Sequence, residues 1–295
     1  NLIHGYYEDA YLKPIAANTN GIFECLEKGA EYIHWDEKRK AYQNQTGDIR
    51  RGVGMALFSY KTGVWPISLE IAGARLSLNQ DGSVQLQVGA TESGQGADTV
   101  FSQMAAETLH MDISRVHIVT QQDTDVTPFD TGAYASRQSF VTGTAVKECA
   151  QQLKQKILEY ARTLVPGNVD RLELEDGYIL ADGKPAISLE DLAMESYYSL
   201  SNSSVLTAEV SRQVKKNTVA SGCCFAEVEV DMKLGKIKVL DIVNVHDSGP
   251  LLNPQLAAMQ VHGGMFMGIG YGVSEQLLID EKTGRPLNGT LLDYK

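Results

Sequence analysis

Two short stretches carry residues suited to binding a polar, charged group. Thr91-Glu92-Ser93-Gly94-Gln95-Gly96 sets a glutamine between two glycines, and Thr131-Gly132-Ala133-Tyr134-Ala135-Ser136-Arg137 is a run of small residues ending in a cation. Glycine adopts backbone angles closed to other residues and lets a ligand come close. Gln95 offers an amide donor and a carbonyl acceptor. Arg137 can pair bidentately with a phosphate or form an ordinary salt bridge to an acidic loop residue. Glu92 reads as an acceptor of backbone N–H bonds that shapes its turn, not as a catalytic group. His246-Asp247 has the composition of a base with its orienter, but a strand-end histidine beside a turn-capping aspartate is the favoured reading. The six histidines have no metal-ligand spacing, and Cys25, Cys149, Cys223 and Cys224 form neither a metal pattern nor a disulfide framework.

The elements around these stretches repeat one design. Asp81-Gly82-Ser83 is a turn signal, and Val84, Leu86 and Val88 then alternate with polar residues as in a half-buried strand. A helix is predicted from Ala97 through Leu109. The strand 116–119 likewise leads through a polar loop into a helix predicted over 138–164, whose stripe is Val141, Ala145, Cys149, Leu153, Ile157, Ala161 and Leu164. A strand that turns on small residues into a helix presents free N–H groups and the positive end of the helix dipole, which suits a phosphate. A tight connection without a ligand is the plainer alternative. Two such loops in one domain can converge on one ligand.

Residues 1–50 read as a helical lead-in, with one helix over 21–28 stopped by Gly29 and a charged one over 31–42. Strands at 53–60, 69–78 and 83–88 suggest an antiparallel meander. Trp35 and Trp65 read as packing residues. Past Pro166-Gly167, a hairpin is expected at 171–174 and 178–180, then a helix capped by Ser188. Residues 195–219, polar and serine-rich, read as a surface loop. A second hairpin, 221–231 with 236–246, feeds a loop and a helix from Pro254 to about Leu278. Each of its glycines (263, 264, 268, 270 and 272) costs roughly 1 kcal/mol relative to alanine, so a close neighbour is expected there, either another helix or a cofactor. Hairpin, loop and helix thus recur at 70–110 and 222–278. Two subdomains, 51–168 and 169–295, follow the lead-in.

The net charge of −11, from 26 basic and 37 acidic side chains, argues against nucleic acid and anionic membrane surfaces. No apolar run reaches the roughly 18 residues that span a bilayer. Unpaired cysteines, with Cys149 on a helix's apolar face, fit a reducing, cytoplasmic setting.

Thr91 to Thr99, Gln103-Met104-Ala105-Ala106-Glu107, Asp123-Thr124 and Thr131 to Gln138 resemble the xanthine dehydrogenase and aldehyde oxidase family. The match is to the second cofactor half of its molybdopterin-binding large subunit, in the bacterial form. Val245 to Pro254 and Gln260-Val261-His262-Gly263-Gly264 resemble its later cofactor-side segment, so the likeness runs over roughly 15–295. It implies an α+β fold of antiparallel sheets and long helices in two cofactor-side subdomains. It also implies a molybdenum–molybdopterin cofactor and oxidative hydroxylation of a purine or related heterocycle. Iron–sulfur clusters and FAD would sit on other domains or subunits of an oligomeric enzyme. Gly94, Gln95, Gly96, Ala135, Ser136 and Arg137 match segments that lie against the cofactor.

The same resemblance places the general-base glutamate beyond Lys295 and the rest of the pocket upstream of Asn1. No residue here is therefore expected to be the base or a metal ligand. With no initiator methionine and no cap after Leu291-Leu292-Asp293-Tyr294, the sequence reads as a fragment, expected alone to hold no cofactor and turn nothing over. Met267 stands where many relatives place a glutamine, and a thioether cannot donate that hydrogen bond. A non-catalytic assembly module is the competing reading. A nucleotide-binding domain lacks support, because no Walker lysine is present.

Overall fold

The computed structural model describes residues 7–8, 14–15, 21–119 and 121–294. In chain order the elements begin with β1 (Tyr7–Glu8), β2 (Pro14–Ile15), α1 (Ile22–Tyr32), α2 (Trp35–Ala41), β3 (Ile49–Thr62), β4 (Ile71–Leu78) and β5 (Val84–Val88). They continue with α3 (Ala97–Leu109), β6 (Val116–Ile118), α4 (Gln138–Leu164), β7 (Leu172–Glu175), β8 (Tyr178–Ala181), β9 (Lys184–Ser188) and α5 (Leu189–Tyr198). The last are β10 (Thr207–Gln213), β11 (Thr218–Asp231), β12 (Lys236–Asp247) and α6 (Pro254–Val273).

The chain divides into two compact units, one from Lys61–Thr218 and the other from the flanking segments, up to Tyr60 and from Val219. This differs from boundaries at 50 and 168, for a reason set by strand pairing. β3 joins the sheet of the later hairpin, in the order β12-β11-β3, and is no part of a meander with β4 and β5.

In the unit of residues 61–218 a four-stranded sheet has the order β10-β4-β5-β6. β4 pairs antiparallel with both β10 and β5, and β6 lies parallel to β5. Alternation buries Leu76 and Leu78 on β4 and Val84, Leu86 and Val88 on β5. The stripe Val141, Ala145, Cys149, Leu153, Ile157 and Ala161 of α4 is fully buried with them. Each such Leu or Ile contributes about 1.5–3 kcal/mol relative to exposure. α3 and α4 have the predicted bounds, because each follows a turn of small residues and carries its own apolar stripe. β7, β8 and β9 form a small antiparallel sheet, and Ser188 caps α5 by accepting from the Asp191 N–H at 3.0 Å.

The expectation of a loop over 195–219 is overturned. Those residues hold the end of α5 and the strand β10, which buries Ala208 and Val210 while its neighbours Thr207, Glu209 and Ser211 face out. A strand with two small apolar anchors carries little periodic signal. Its place is decided by pairing with β4.

In the other unit α1 continues through Gly29, which does not stop it. A Cβ there would collide with the Phe225 ring, so the glycine serves close approach. Trp35 meets the same ring edge-on at 5.5 Å between centroids, a packing role as expected. α6 ends at Val273, with the Asn253 side chain capping it by accepting from the Leu256 N–H at 3.0 Å. Among the described residues a close neighbour is found at only one of its five glycines, Gly270, where an added Cβ would collide with the Glu275 side chain. At Gly263, Gly264, Gly268 and Gly272 an added Cβ would meet nothing within 4 Å.

Gly29 gives a sharp test of helix propensity against packing. Propensity alone favours Gly29→Ala by about 1 kcal/mol, whereas overpacking costs typically 1–3 kcal/mol. We expect a net loss of stability, read as a lower urea midpoint at unchanged slope. A gain would show that Phe225 moves aside freely.

Candidate functional site

The first loop begins where β5 ends at Val88 and closes at the start of α3. Gly89 and Gly73, from the adjoining strands, leave room for the segment 128–130. A Cβ on Gly89 would collide with the Pro128 carbonyl, and one on Gly73 would lie 2.7 Å from Pro128 Cβ. The Gly73 N–H donates to the Phe129 carbonyl at 2.7 Å, and Ala72 bridges to Asp130. The second loop is thereby drawn across the end of the β4–β5 hairpin. Sequence reasoning missed both glycines, since isolated glycines in strands read only as weak strand positions.

Two glutamines then join the loops. Gln95 Nε2 donates to the Thr91 carbonyl at 2.8 Å and to Gln138 Oε1 at 2.7 Å, while Gln95 Oε1 accepts from the Ser93 N–H at 2.6 Å. Gln138 Nε2 reaches back to the Thr91 carbonyl at 3.2 Å. The bends at Gln95 and Ser136 are therefore on the same side of this unit. Gln95 is a staple more than a free offer of polar groups. Gln138, its partner, escaped the sequence reading because a polar first helical residue looks like any helix start.

Glu92 fills the N-terminus of α3 with a charge of its own. Its Oε1 accepts from the Gly94 and Gly96 N–H groups at 2.7 and 3.0 Å, and Oε2 from the Asp98 N–H at 3.0 Å. Partial burial would raise the Glu92 pKa, but these amides outweigh it and hold the carboxyl below its usual range. An external phosphate thus finds the α3 dipole already met. Asp98 is shifted upward, by burial first and by the Glu92 charge second.

Arg137 forms buried ion pairs within the chain. Its side chain is fully buried, with Nε on Glu70 Oε2 at 2.8 Å, Nη1 on Asp130 Oδ1 at 2.5 Å and on the Gly132 carbonyl at 2.9 Å, and Nη2 on the Ile71 carbonyl at 2.8 Å. Burial pulls its pKa down, but the two carboxylates more than compensate, so it stays charged. Of the two readings of Arg137, the salt bridge is the one found. Ala135 and Ser136 precede it at φ 49° and 51°, consecutive left-handed residues without glycine's freedom.

What the loops leave exposed is a set of small residues together with the Tyr134 ring. Ser93, Gly94, Ala133 and Ser136 are exposed, and Gly94, at φ 99°, has nothing within 4 Å of an added Cβ. Thr131 Oγ1 and Asp98 Oδ1 are buried polar atoms with no hydrogen-bond partner among the described residues. Such a face offers hydroxyl and backbone groups to a polar ligand. It does not fit a phosphate clamped by a cation.

In the other unit, His246 packs on the Phe58 ring at 4.8 Å, and burial lowers its pKa. Asp247 Oδ2 accepts from the Gly21 N–H at 2.9 Å and Oδ1 from the Gly249 N–H at 3.3 Å, a capping role. All four cysteines are free thiols, and burial pushes Cys149 and Cys223 up to about 11. Among the described residues no three His, Cys, Asp or Glu side chains are grouped to hold a metal ion, and no helix is long and apolar enough to cross a membrane.

The family of molybdopterin cofactor-binding domains matches residues 28–295. The chain belongs to that family. It is 50% identical over 278 residues to the xanthine dehydrogenase molybdenum-binding subunit of Escherichia coli O157:H7, covering 93% of this chain and 37% of that subunit. It is 26% identical over 305 residues to the nicotine 6-hydroxylase large subunit of Paenarthrobacter nicotinovorans, covering 98% of this chain and 36% of that protein. The chain therefore spans little more than a third of the length of these relatives. Quinoline 2-oxidoreductase from Pseudomonas putida 86 shares the fold at a TM-score of 0.77 and 23% identity, over 98% of this chain and 38% of that one. CO dehydrogenase from Oligotropha carboxidovorans does so at 0.78 and 22%, over 92% and 36%. The α+β molybdenum-cofactor fold and the molybdopterin cofactor of the family follow from these matches.

Glu92 supplies a prediction for this molybdopterin-domain loop. Glu92→Gln should cost about 1 kcal/mol at pH 7, the usual value of a helix cap. Because the folded pKa lies below the unfolded one, the stabilisation is complete above the unfolded value of about 4.3 and is lost as pH falls through the folded value. The wild-type and variant stabilities should therefore converge on acidification. A gap in urea midpoint that stays constant from neutral pH down to about pH 3 would contradict this account.

Proposed function

We propose that this chain is the second molybdopterin-binding part of a molybdenum hydroxylase that oxidatively hydroxylates a purine or related heterocycle. The observation that carries the cofactor reading is the joining of the two small-residue loops through Gln95 and Gln138. Support for the substrate class comes from the relatives, a xanthine dehydrogenase subunit at 50% identity and a nicotine hydroxylase subunit at 26%. Gly94, Gln95, Gly96, Ala135, Ser136 and Arg137 are the residues we assign to the cofactor. Gly94 and Ser136 present the open face, the Gly94 and Gly96 N–H groups and the Ala135 carbonyl being taken up within the chain, while Gln95 and Arg137 hold that face in place. When bound, the molybdenum–pterin group supplies the two-electron redox chemistry, and the protein's part is to bind, orient and exclude competing water.

The chain spans 37% of the length of the xanthine dehydrogenase subunit. The remaining cofactor half, iron–sulfur and FAD domains or subunits, and an oligomeric cytoplasmic assembly belong to the same proposal. So does the inactivity of these 295 residues alone. A second reading, a structural or assembly module, draws on one observation: the loops' strongest polar groups, Glu92, Gln95 and Arg137, are satisfied internally.

Elemental analysis for molybdenum together with pterin fluorescence after acid oxidation, on the full-length protein, separates the two. Loading with both is expected, and Gln95→Leu, which uncouples the loops, should lower both by about tenfold, the equivalent of ~1.4 kcal/mol. A folded full-length protein containing neither group would favour the assembly module.

A further inference from the structure

Arg137 does more than terminate a loop. We infer that Glu70, Asp130 and Arg137 form a positioning network that fixes the backbone of residues 131–136 in its cofactor-holding conformation; the inference rests on the proposed cofactor reading.

The guanidinium touches the loop along its length and anchors it to the sheet. Asp130 and Gly132 contact it at the start, Tyr134 lies with its ring centroid 5.7 Å from the guanidinium carbon, and Glu70 with Ile71 ties it to β4. Every carboxylate oxygen in the network is occupied. Glu70 Oε1 accepts from the Val64 N–H, Asp130 Oδ1 also accepts from the Gly132 N–H at 2.9 Å, and Asp130 Oδ2 accepts from Thr142 Oγ1 at 2.7 Å. The side chains of Glu70, Asp130 and Arg137 are at most 1% exposed.

Three buried charges are not an economical way to hold a fold together, since packed apolar side chains of like volume often do as well. What the network does supply is direction. It spans two successive non-glycine residues at positive φ, Ala135 and Ser136, a conformation that persists only where the surroundings over-determine it. The Ala135 carbonyl, accepting from the Gly63 N–H at 2.8 Å, and the Tyr134 carbonyl, accepting from the Arg137 N–H at 3.2 Å, complete the clamp. Ser136, next to Arg137, is left facing solvent.

The test uses the full-length, cofactor-loaded protein and compares Arg137→Lys with Ile157→Ala, a core change on α4 that lowers stability without touching the loop. Lysine keeps the charge but, as a point donor, cannot hold two carboxylates and two carbonyls in one plane. Release of molybdenum and pterin is timed well below the melting temperature of either variant. Arg137→Lys should release them about tenfold faster than wild type, as supporting-shell changes typically do, and Ile157→Ala at the wild-type rate. Equal release from both variants, or wild-type retention by Arg137→Lys, would overturn the inference. Should Arg137→Lys fail to fold, Thr142→Val, which removes only the hydroxyl donor to Asp130, is expected to hasten release to a smaller degree; wild-type release from it would count against the network. A wild-type protein lacking molybdenum and pterin would instead bring down the cofactor reading on which the network's role depends.

Discussion

A charged guanidinium shut off from water has to be met on all sides, and that demand organises the unit of residues 61–218. Arg137 can be buried only if Glu70, Asp130 and the carbonyls of Ile71 and Gly132 converge on it. Their convergence fixes the second loop against the end of β4. Gly73 and Gly89 make the approach sterically possible, because side chains there would occupy the space taken by Pro128–Asp130. The long α4 follows directly, its first turn held to the first loop by Gln138.

This arrangement changes which groups are available to a ligand. Helix N-termini are ready-made anion sites, but at α3 the site is met by Glu92 from within the same loop. The open surface consists of small side chains, a glycine at positive φ, serine hydroxyls and the Tyr134 ring. Such a surface suits a planar group with many hydrogen-bonding edges, which agrees with the molybdopterin-domain family to which the chain belongs. The charges of Glu92, Asp130 and Arg137 are used to build the loops.

Much of this was legible in the sequence for a physical reason. α3 and α4 were readable to the residue because turn, small-residue start and apolar stripe all agree. The pairing of the two loops followed from their shared design and from the family resemblance. What escaped was whatever depends on contacts distant in sequence. Glu70 is 67 residues from Arg137, so nothing local marks Arg137 as buried. β10 has too few apolar residues to announce itself, and β3 follows the hairpin at 218–247 because that pairing is decided by tertiary structure. The glycines of α6 suggested a close neighbour that the described residues provide at Gly270 but not at Gly263, Gly264, Gly268 or Gly272.

The reading stands or falls on both loops of residues 61–218 touching the same molybdopterin. Amide hydrogen exchange on the full-length protein, with and without bound cofactor, addresses it directly. Exchange should slow together at the amides of residues 93–96 and 133–136 when cofactor is present, leaving the buried amides of α4 unchanged. Protection confined to one loop, or absent from both while cofactor is bound, would contradict the claim.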